Sequence, residues 1–451
     1  MTSDPKHSPT EAFVWIWLPG AIDPVVAGRI VRSGPIYMFN YGQSYLRLKA
    51  AIPLYLPELP LRRGAITPEP PLTMAGCLRD GAPDAWGRRV IINRLTGLKG
   101  DAARDVDFDD LTFMLNSGSD RAGALDFQTS ATEYHAREEA DATLEDLLEA
   151  AGRVERGEPI PQALERALFH GSSIGGARPK ALIAEDGRKF IAKFSATNDT
   201  YPVVKAEFVA MRLAASVGLT AAPVRLVSAS GKDVLLVERF DREPAGAGWR
   251  RRAMVSASTV FGLDELQARY ASYADLADQI RARFTAPRAT LHELFARTVF
   301  NVLCGNTDDH ARNHAAFWDG EALTLTPAYD ICPQARTGRE AGQAMLIQGE
   351  DRRSQLQACR AAARHFHLED GEARDLIDAQ VTAIREGWGD LCELAKLGSI
   401  ERNFLWERQL RLRRLLAVVD RQRLVDMGVA HVEQAEKMGE IVGHVGLQKG
   451  R

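Results

Sequence analysis

GNTDDHARNHAAF, residues 305–317, places Asp308, Asp309, His310, Arg312, Asn313 and His314 within seven positions. An apolar helical pattern, TLHELFARTVFNVLCG (290–305), runs into it, and Thr290 with Glu293 predicts a capping-box start for that helix. A short hairpin pattern, HAAFWDGEALTL (314–325), follows, and then LTPAYDICP (325–333). Phosphoryl transfer needs an acid beside the incoming hydroxyl and an oxygen ligand for magnesium close behind it. Kinases supply these as Asp and Asn five residues apart on one loop, with a second Asp after a hairpin. Asp308 and Asn313 have that spacing, and Asp330 stands after the hairpin. On this reading Asp308 orients the hydroxyl, while Asn313 and Asp330 hold Mg²⁺. The stretch by itself also fits a polar turn whose Asp and Asn bond their own backbone. His310 and His314 at i, i+4 would suit zinc, but the Glu of an HExxH pair is missing. The remainder of the chain separates these readings.

A kinase also requires a lysine on an upstream strand and an acid on the next helix to hold it. FIAKFS (190–195) puts Lys193 inside an apolar strand, where an ammonium is costly unless it meets a phosphate or carboxylate. Glu207, on the helix pattern after it, is the natural partner. Each alone reads more readily as a surface residue. A flexible glycine loop must bring backbone N–H groups to phosphates, and GSSIGGARPK (171–180) offers three glycines and two cations just before the first strand. DVLLVERFDR (233–242) runs an apolar strand into Glu238, Arg239 and Phe240, a hinge whose backbone could read an adenine edge. In the order loop, lysine, hinge, catalytic loop and metal acid, these modest signals reinforce one another.

The layout agrees. Residues 12–60 read as β-rich, with FVWIWL, IYMFNY and SYLRLKA as strands, and 72–130 as largely helical. TLEDLLEAAGRVERGE (143–158) reads as a polar-faced connecting helix. ARPKALIAEDGRKFIAKFS (177–195) forms two strands around an Asp186-Gly187 turn, VVKAEFVAMRLAASVGL (203–219) a helix ending at Gly218, and VRLVSAS and DVLLVERFD two more strands. From about 254 onward the pattern is helical apart from the hairpin. The expected fold class is α+β, a protein-kinase-like bilobal fold with a small β-rich lobe and a large helical lobe behind an N-terminal β-containing module. The expected boundaries are 1–140, 141–243 and 244–451.

At 451 residues the chain is too long for one ordinary core. Its 57 basic and 60 acidic side chains give −3, which excludes a global field for nucleic acid. Five scattered cysteines, never in CxxC spacing, exclude a disulfide framework and a zinc ribbon. No apolar run approaches the ~18 residues of a membrane helix, and the N-terminus lacks a signal-peptide pattern, so a cytoplasmic protein without membrane contact is expected.

SxxGARPK (173–180), AKFS (192–195), VERFDR (237–242), NTDDHARN (306–313) and TPAYD (326–330) together resemble the HipA family of toxin serine/threonine kinases from bacterial toxin–antitoxin modules. PLRRG (60–64) and LRDGAPDAWGRRVI (78–91) are similar to the module that precedes the kinase core there. The resemblance covers roughly 12–410 and leaves the last forty or so residues unplaced.

The resemblance implies that Asp308 is the catalytic acid, with Arg312 where lysine is common. It implies that His310, Asn313, Tyr329 and Asp330 line the ATP and Mg²⁺ site and that Lys193 meets the phosphates. Gly175, Gly176, Ala177, Arg178, Pro179 and Lys180 would form the phosphate loop, and Glu238, Arg239 and Phe240 the hinge. Ser173 falls at the serine that is autophosphorylated in the family, with Ser172 beside it as the alternative. The implied function is an ATP-dependent protein kinase acting on a translation component such as an aminoacyl-tRNA synthetase. Its implied partner is a HipB-like helix-turn-helix antitoxin, through which it would meet DNA only indirectly. Two other readings stay open: a small-molecule kinase of the same fold, and a non-catalytic corepressor docked on a DNA-binding antitoxin. Asp309 beside Asp308 is an alternative base, and EPAGAGWRRR (243–252) matches no expected feature.

Overall fold

The structure is a computed structural model, and it describes residues 8–97, 106, 108–137, 142–158, 161, 164, 172–246, 248–334 and 341–406. The N-terminal region is built on a four-stranded antiparallel sheet in the order β3-β2-β1-β4, with β1 Glu11–Ile16, β2 Val25–Ser33, β3 Ile36–Tyr41 and β4 Leu125–Gln128. Sequence reading misses β2 because Gly28 interrupts its apolar run. The glycine is there for space: a Cβ would lie 2.1 Å from the Asn40 carbonyl oxygen on β3. SYLRLKA, expected as a strand, instead begins in a single helical turn, Gln43–Leu46. Only Tyr45 of that stretch is buried, its hydroxyl bonded to the Ile52 carbonyl, so no alternating face exists to join a sheet.

Helix α1 (Ala85–Thr96) and the short α2 (Asp110–Leu115) fill the expected helical stretch. Helix α3 (Leu144–Arg156) starts at a Thr143–Asp146 capping box and ends at Gly157 in the left-handed region. It is more than the polar connector the sequence suggests. Leu147, Leu148, Ala150 and Ala151 are buried against Phe190 and Phe194 of the small lobe and Trp86 of α1. One apolar core therefore joins the N-terminal region to the small lobe.

That lobe is a second antiparallel sheet, β5-β6-β8-β7, from β5 Lys180–Glu185, β6 Arg188–Phe194, β7 Val224–Ala229 and β8 Lys232–Glu238. Asp186 (φ 50°) and Gly187 (φ 69°) turn β5 into β6, as that dipeptide favours in a two-residue hairpin loop. Helix α4 (Val203–Ser216) packs on the sheet, with Gly218 (φ 90°) just past its end.

The large lobe is chiefly helical, with α5 Tyr273–Arg283, α6 Pro287–Cys304 and the 25-residue α7 Asp370–Leu394. The expected capping box is absent from α6. Its first residue is Pro287, Thr290 bonds back to the Ala286 carbonyl, and Glu293 pairs with Arg297 and accepts the Thr220 N–H. Proline at the first helical position starts the helix one turn earlier than the Thr-Glu signal.

The arginine-rich stretch after β8 forms a hairpin, β9 Arg242–Ala245 and β10 Gly248–Arg251. Its cations stack on rings from other parts of the chain, Arg251 over Trp17 at 3.4 Å and Arg252 over Phe317 at 3.3 Å. A three-stranded sheet, β11 Met254–Ser256 with β12 Ala315–Trp318 and β13 Leu323–Leu325, adjoins residues 305–314. Among the described residues no helix is long and apolar enough to cross a membrane. All five cysteines are free and buried.

Candidate active site

A cavity of about 1030 Å³ lies where the two lobes and the N-terminal region meet. On the large-lobe side, α6 ends at Gly305 (φ 74°) and releases the chain into the opening stretch. The structure divides that cluster of polar residues in two. Asp309 and His314 turn into the lobe. Asp309 Oδ2 accepts the Tyr273 hydroxyl and the Asn301 amide N–H at 2.6 Å, and lies 2.8 Å from His314 Nε2. With both residues buried and Asp309 engaged three ways, it holds the loop.

Asp308, His310, Arg312 and Asn313 line the cavity instead. The loop is tied by backbone bonds from His310 N–H to the Asp308 carbonyl and from Asn313 N–H to the His310 carbonyl, each 2.8 Å. Burial lifts the Asp308 carboxyl above the ordinary aspartate range, and Asp330 and Asp309 add to this against the opposing effect of His310.

Across the cavity, Lys193 on β6 reaches Glu207 on α4 at 2.5 Å and also bonds Asp330, the acid after the β12–β13 hairpin. Burial opposes the Lys193 charge, but Asp330 and Glu207 outweigh it and hold the pKa above the usual lysine value. Lys193 in turn keeps Asp330 well below the usual carboxylate range. Asp330 has φ 59°, a left-handed backbone that a non-glycine residue rarely adopts and that clusters at functional sites. Lys180 is the cross-strand partner of Lys193. Burial, and then the Lys193 charge, push its pKa down to about 8.

Of the glycine loop, residues 172–180 are described and Gly171 is not. Gly175, Gly176, Ala177, Arg178 and Lys180 line the cavity. Lys180 Nζ donates to the Gly175 carbonyl, and Arg178 pairs with Asp199. Pro179 sits behind them, its carbonyl accepting the Phe194 N–H at 3.0 Å. Ser172 and Ser173 are both buried, and the Ser173 hydroxyl donates to the Asp120 carbonyl at 3.1 Å.

At the hinge, Phe240 packs against Tyr329 and Phe317, with centroids 5.6 and 5.9 Å away. Tyr329 fixes the 305–314 loop by donating to the Arg312 carbonyl at 2.7 Å. Glu238 pairs with Arg188. The Arg239 side chain is buried in ion pairs with Asp120 and Asp241, so its guanidinium holds the hinge to the N-terminal region.

The residues present suit magnesium. Asn313 uses its amide N–H on the Asp308 carbonyl at 3.3 Å, leaving the amide oxygen for a cation, and Asp330 is held anionic. Both are hard oxygen donors on one cavity wall. A zinc pair is not assembled, since His310 lines the cavity while His314 turns inward to Asp309. Sequence reasoning gave no role to Asp84, Trp86 and Arg89, which grip the glycine loop from α1 and its leading edge. Their only signal was the GAPDAWGRR run itself.

Two family models match the chain, one described as HipA N-terminal domain over residues 21–128 and one as HipA-like C-terminal domain over 172–388. The putative kinase Y4mE of Sinorhizobium fredii is 31% identical over 147 residues, which is 31% of this chain and 33% of that protein. The serine/threonine-protein kinase toxin HipA of Shewanella oneidensis is 27% identical over 183 residues, 35% and 42% of the two lengths. The chain thus spans about a third to two fifths of the length of the curated relatives it matches. Among solved structures, a complex of HipA, HipB and operator DNA from Shewanella oneidensis MR-1 contains a chain that matches with TM-score 0.65 and 20% identity. The match covers 88% of this chain and 96% of that one, and at this identity it speaks for the fold.

Proposed function

The chain belongs to the HipA family, and from that premise we propose that it is an ATP-dependent serine/threonine protein kinase, the toxin of a toxin–antitoxin module. The observation that carries the reading is the convergence on one cavity of Asp308, Asn313 and Asp330 from one side and Lys193 with Glu207 from the other. Lys193 and Lys180 bind the phosphates of ATP, and Glu207 keeps Lys193 in place. Asn313 and Asp330 would hold Mg²⁺, which would supply neutralisation of the charge on the phosphates. Asp308 orients the acceptor hydroxyl and takes its proton as the new O–P bond forms and the bond from the γ-phosphorus to the bridging oxygen breaks. Its raised pKa suits that duty better than that of an ordinary aspartate.

The acceptor, by family likeness, is a serine or threonine of a translation component such as an aminoacyl-tRNA synthetase. A helix-turn-helix antitoxin of the HipB kind is the partner, and its DNA contact would be the complex's route to an operator. Ser173 is the internal acceptor. Since its hydroxyl is buried on the Asp120 carbonyl, phosphorylation requires the loop to leave its seat. A phosphate there adds about −1.5 to −2 charge and keeps the loop from cradling ATP.

Incubation with Mg²⁺ and labelled ATP, beside Asp308→Ala, tests the reading. Phosphate found by mass spectrometry on Ser173 in the unaltered protein, and absent from Asp308→Ala and Ser173→Ala, is the expected outcome. No incorporation and no ATP binding by a folded protein would overturn it.

A further inference from the structure

Asp84 precedes α1 and occupies the position from which an aspartate ordinarily caps its own helix, yet it makes no side-chain cap bond there. Its carboxylate goes elsewhere. Oδ2 accepts the Gly176 N–H of the glycine loop at 2.8 Å, and Oδ1 accepts Arg312 Nη1 of the catalytic loop at 2.8 Å. Gly176 answers in kind: its carbonyl accepts the Trp86 N–H at 3.2 Å, so a loop carbonyl does the capping that Asp84 does not. The fit is tight, since a Cβ on Gly175 would lie 2.8 Å from Asp84 Oδ2. Arg312 has one further carboxylate, Glu265 at 3.0 Å.

We propose that Asp84 is a positioning residue for phosphoryl transfer: one carboxylate of the N-terminal region fixes the phosphate loop and the catalytic-loop arginine at a set spacing. The proposal rests on the kinase reading for its rate consequence, though not for its structural one. Nucleotide phosphates would lie against Gly175–Lys180 and the acceptor hydroxyl against Asp308, so the distance between the two loops decides whether donor and acceptor align. Holding that distance from outside both lobes removes a motion that otherwise costs rate. The two oxygens also divide the work, because Asn keeps an acceptor for Gly176 but loses the charge facing Arg312, whereas Ala loses both.

The test compares Asp84→Asn and Asp84→Ala with the unaltered full chain by ATP affinity, by phosphoryl-transfer rate at saturating MgATP, and by hydrogen exchange of the loop amides without nucleotide. Asp84→Asn is expected to keep Gly176 protected and ATP affinity within about threefold, while the saturated rate falls about tenfold or more. Asp84→Ala is expected to lose Gly176 protection and to weaken ATP about tenfold as well. A merely structural aspartate would lower thermal stability in both variants without this division between affinity and rate. Unchanged Gly176 exchange in Asp84→Ala, or equal behaviour of the two variants, overturns the proposal. If the unaltered chain transfers no phosphate, the kinase reading fails, and the exchange of Gly176 still decides whether Asp84 holds the loop.

Discussion

Adjacent aspartates of the 305–314 loop point opposite ways, Asp308 to the cavity and Asp309 into the lobe, and the proposed difference in their duties is measurable. Asp308→Ala removes a cavity carboxylate and is expected to abolish transfer while leaving the melting temperature nearly unchanged. Asp309→Ala strands the Tyr273 hydroxyl, the Asn301 amide and His314 inside the lobe. That change is expected to cost about 3 kcal/mol or more of stability, read by urea unfolding. Lys180 supplies a pH signature. Its pKa in the free protein is down at about 8, and bound phosphates would restore the charge and raise it. ATP affinity is therefore full below pH 8 and falls as pH rises through it, and binding near pH 8 takes up a proton. Calorimetry in buffers of different ionisation enthalpy checks both, and a flat affinity from pH 7 to 9.5 would contradict them. Sequence spacing placed Asp308, Asn313 and Asp330 together because their geometry is set by one loop and one hairpin. The five-residue spacing to Asn313 already favoured Asp308 over Asp309, but the bonds that turn Asp309 inward, to Tyr273, Asn301 and His314, carry no signal in the local pattern.

Helix α1 is an element whose outward sequence hides its contacts. Gly87 looks like a weak point in a helix, but a Cβ there would lie 2.1 Å from the Ser172 carbonyl oxygen. Gly87→Ala is thus expected to push the phosphate loop from its seat and raise the KM for ATP roughly tenfold to a hundredfold, well beyond the ~1 kcal/mol that a helical Gly→Ala ordinarily gains. Steady-state kinetics at several ATP concentrations would show it. The strands on either side of Asp186-Gly187, helix α4 and the β12–β13 hairpin were legible because each carries its own period or turn signal. β2 was hidden by the glycine its close pairing demands, SYLRLKA lacked the alternating burial of a strand, and α3's packing face faced a partner no local pattern reveals.

The three parts of the molecule are bound by charge as well as by apolar packing. Asp120, from the N-terminal region, pairs with Lys189, Arg239 and Arg242, while Asp241 pairs with the same two arginines and accepts the Gly123 N–H at 2.8 Å. Burial opposes the Asp120 charge, but Arg239, Arg242 and Lys189 prevail and hold its pKa well below the ordinary range. Its contribution is thus fully present above the unfolded aspartate pKa and is lost only as pH falls below that value toward the folded one. Asp120→Ala leaves buried guanidinium groups short of a partner and is expected to cost about 3–5 kcal/mol, lowering the midpoint of a single cooperative unfolding transition. Two separate transitions in the unaltered chain would speak against one joined structure. Such joining was invisible in the sequence, where Arg239 read as part of a hinge and nothing pointed to Asp120 or Lys189 as its neighbours. The order of the site along the chain has a consequence during synthesis. Asp84, which grips the loop, leaves the ribosome early, and Asp330 leaves it late. A nascent or prematurely ended polypeptide that stops before the β12–β13 hairpin lacks Asp330, leaving Lys193 with Glu207 as its remaining carboxylate partner, and is expected to be inert until translation passes that point.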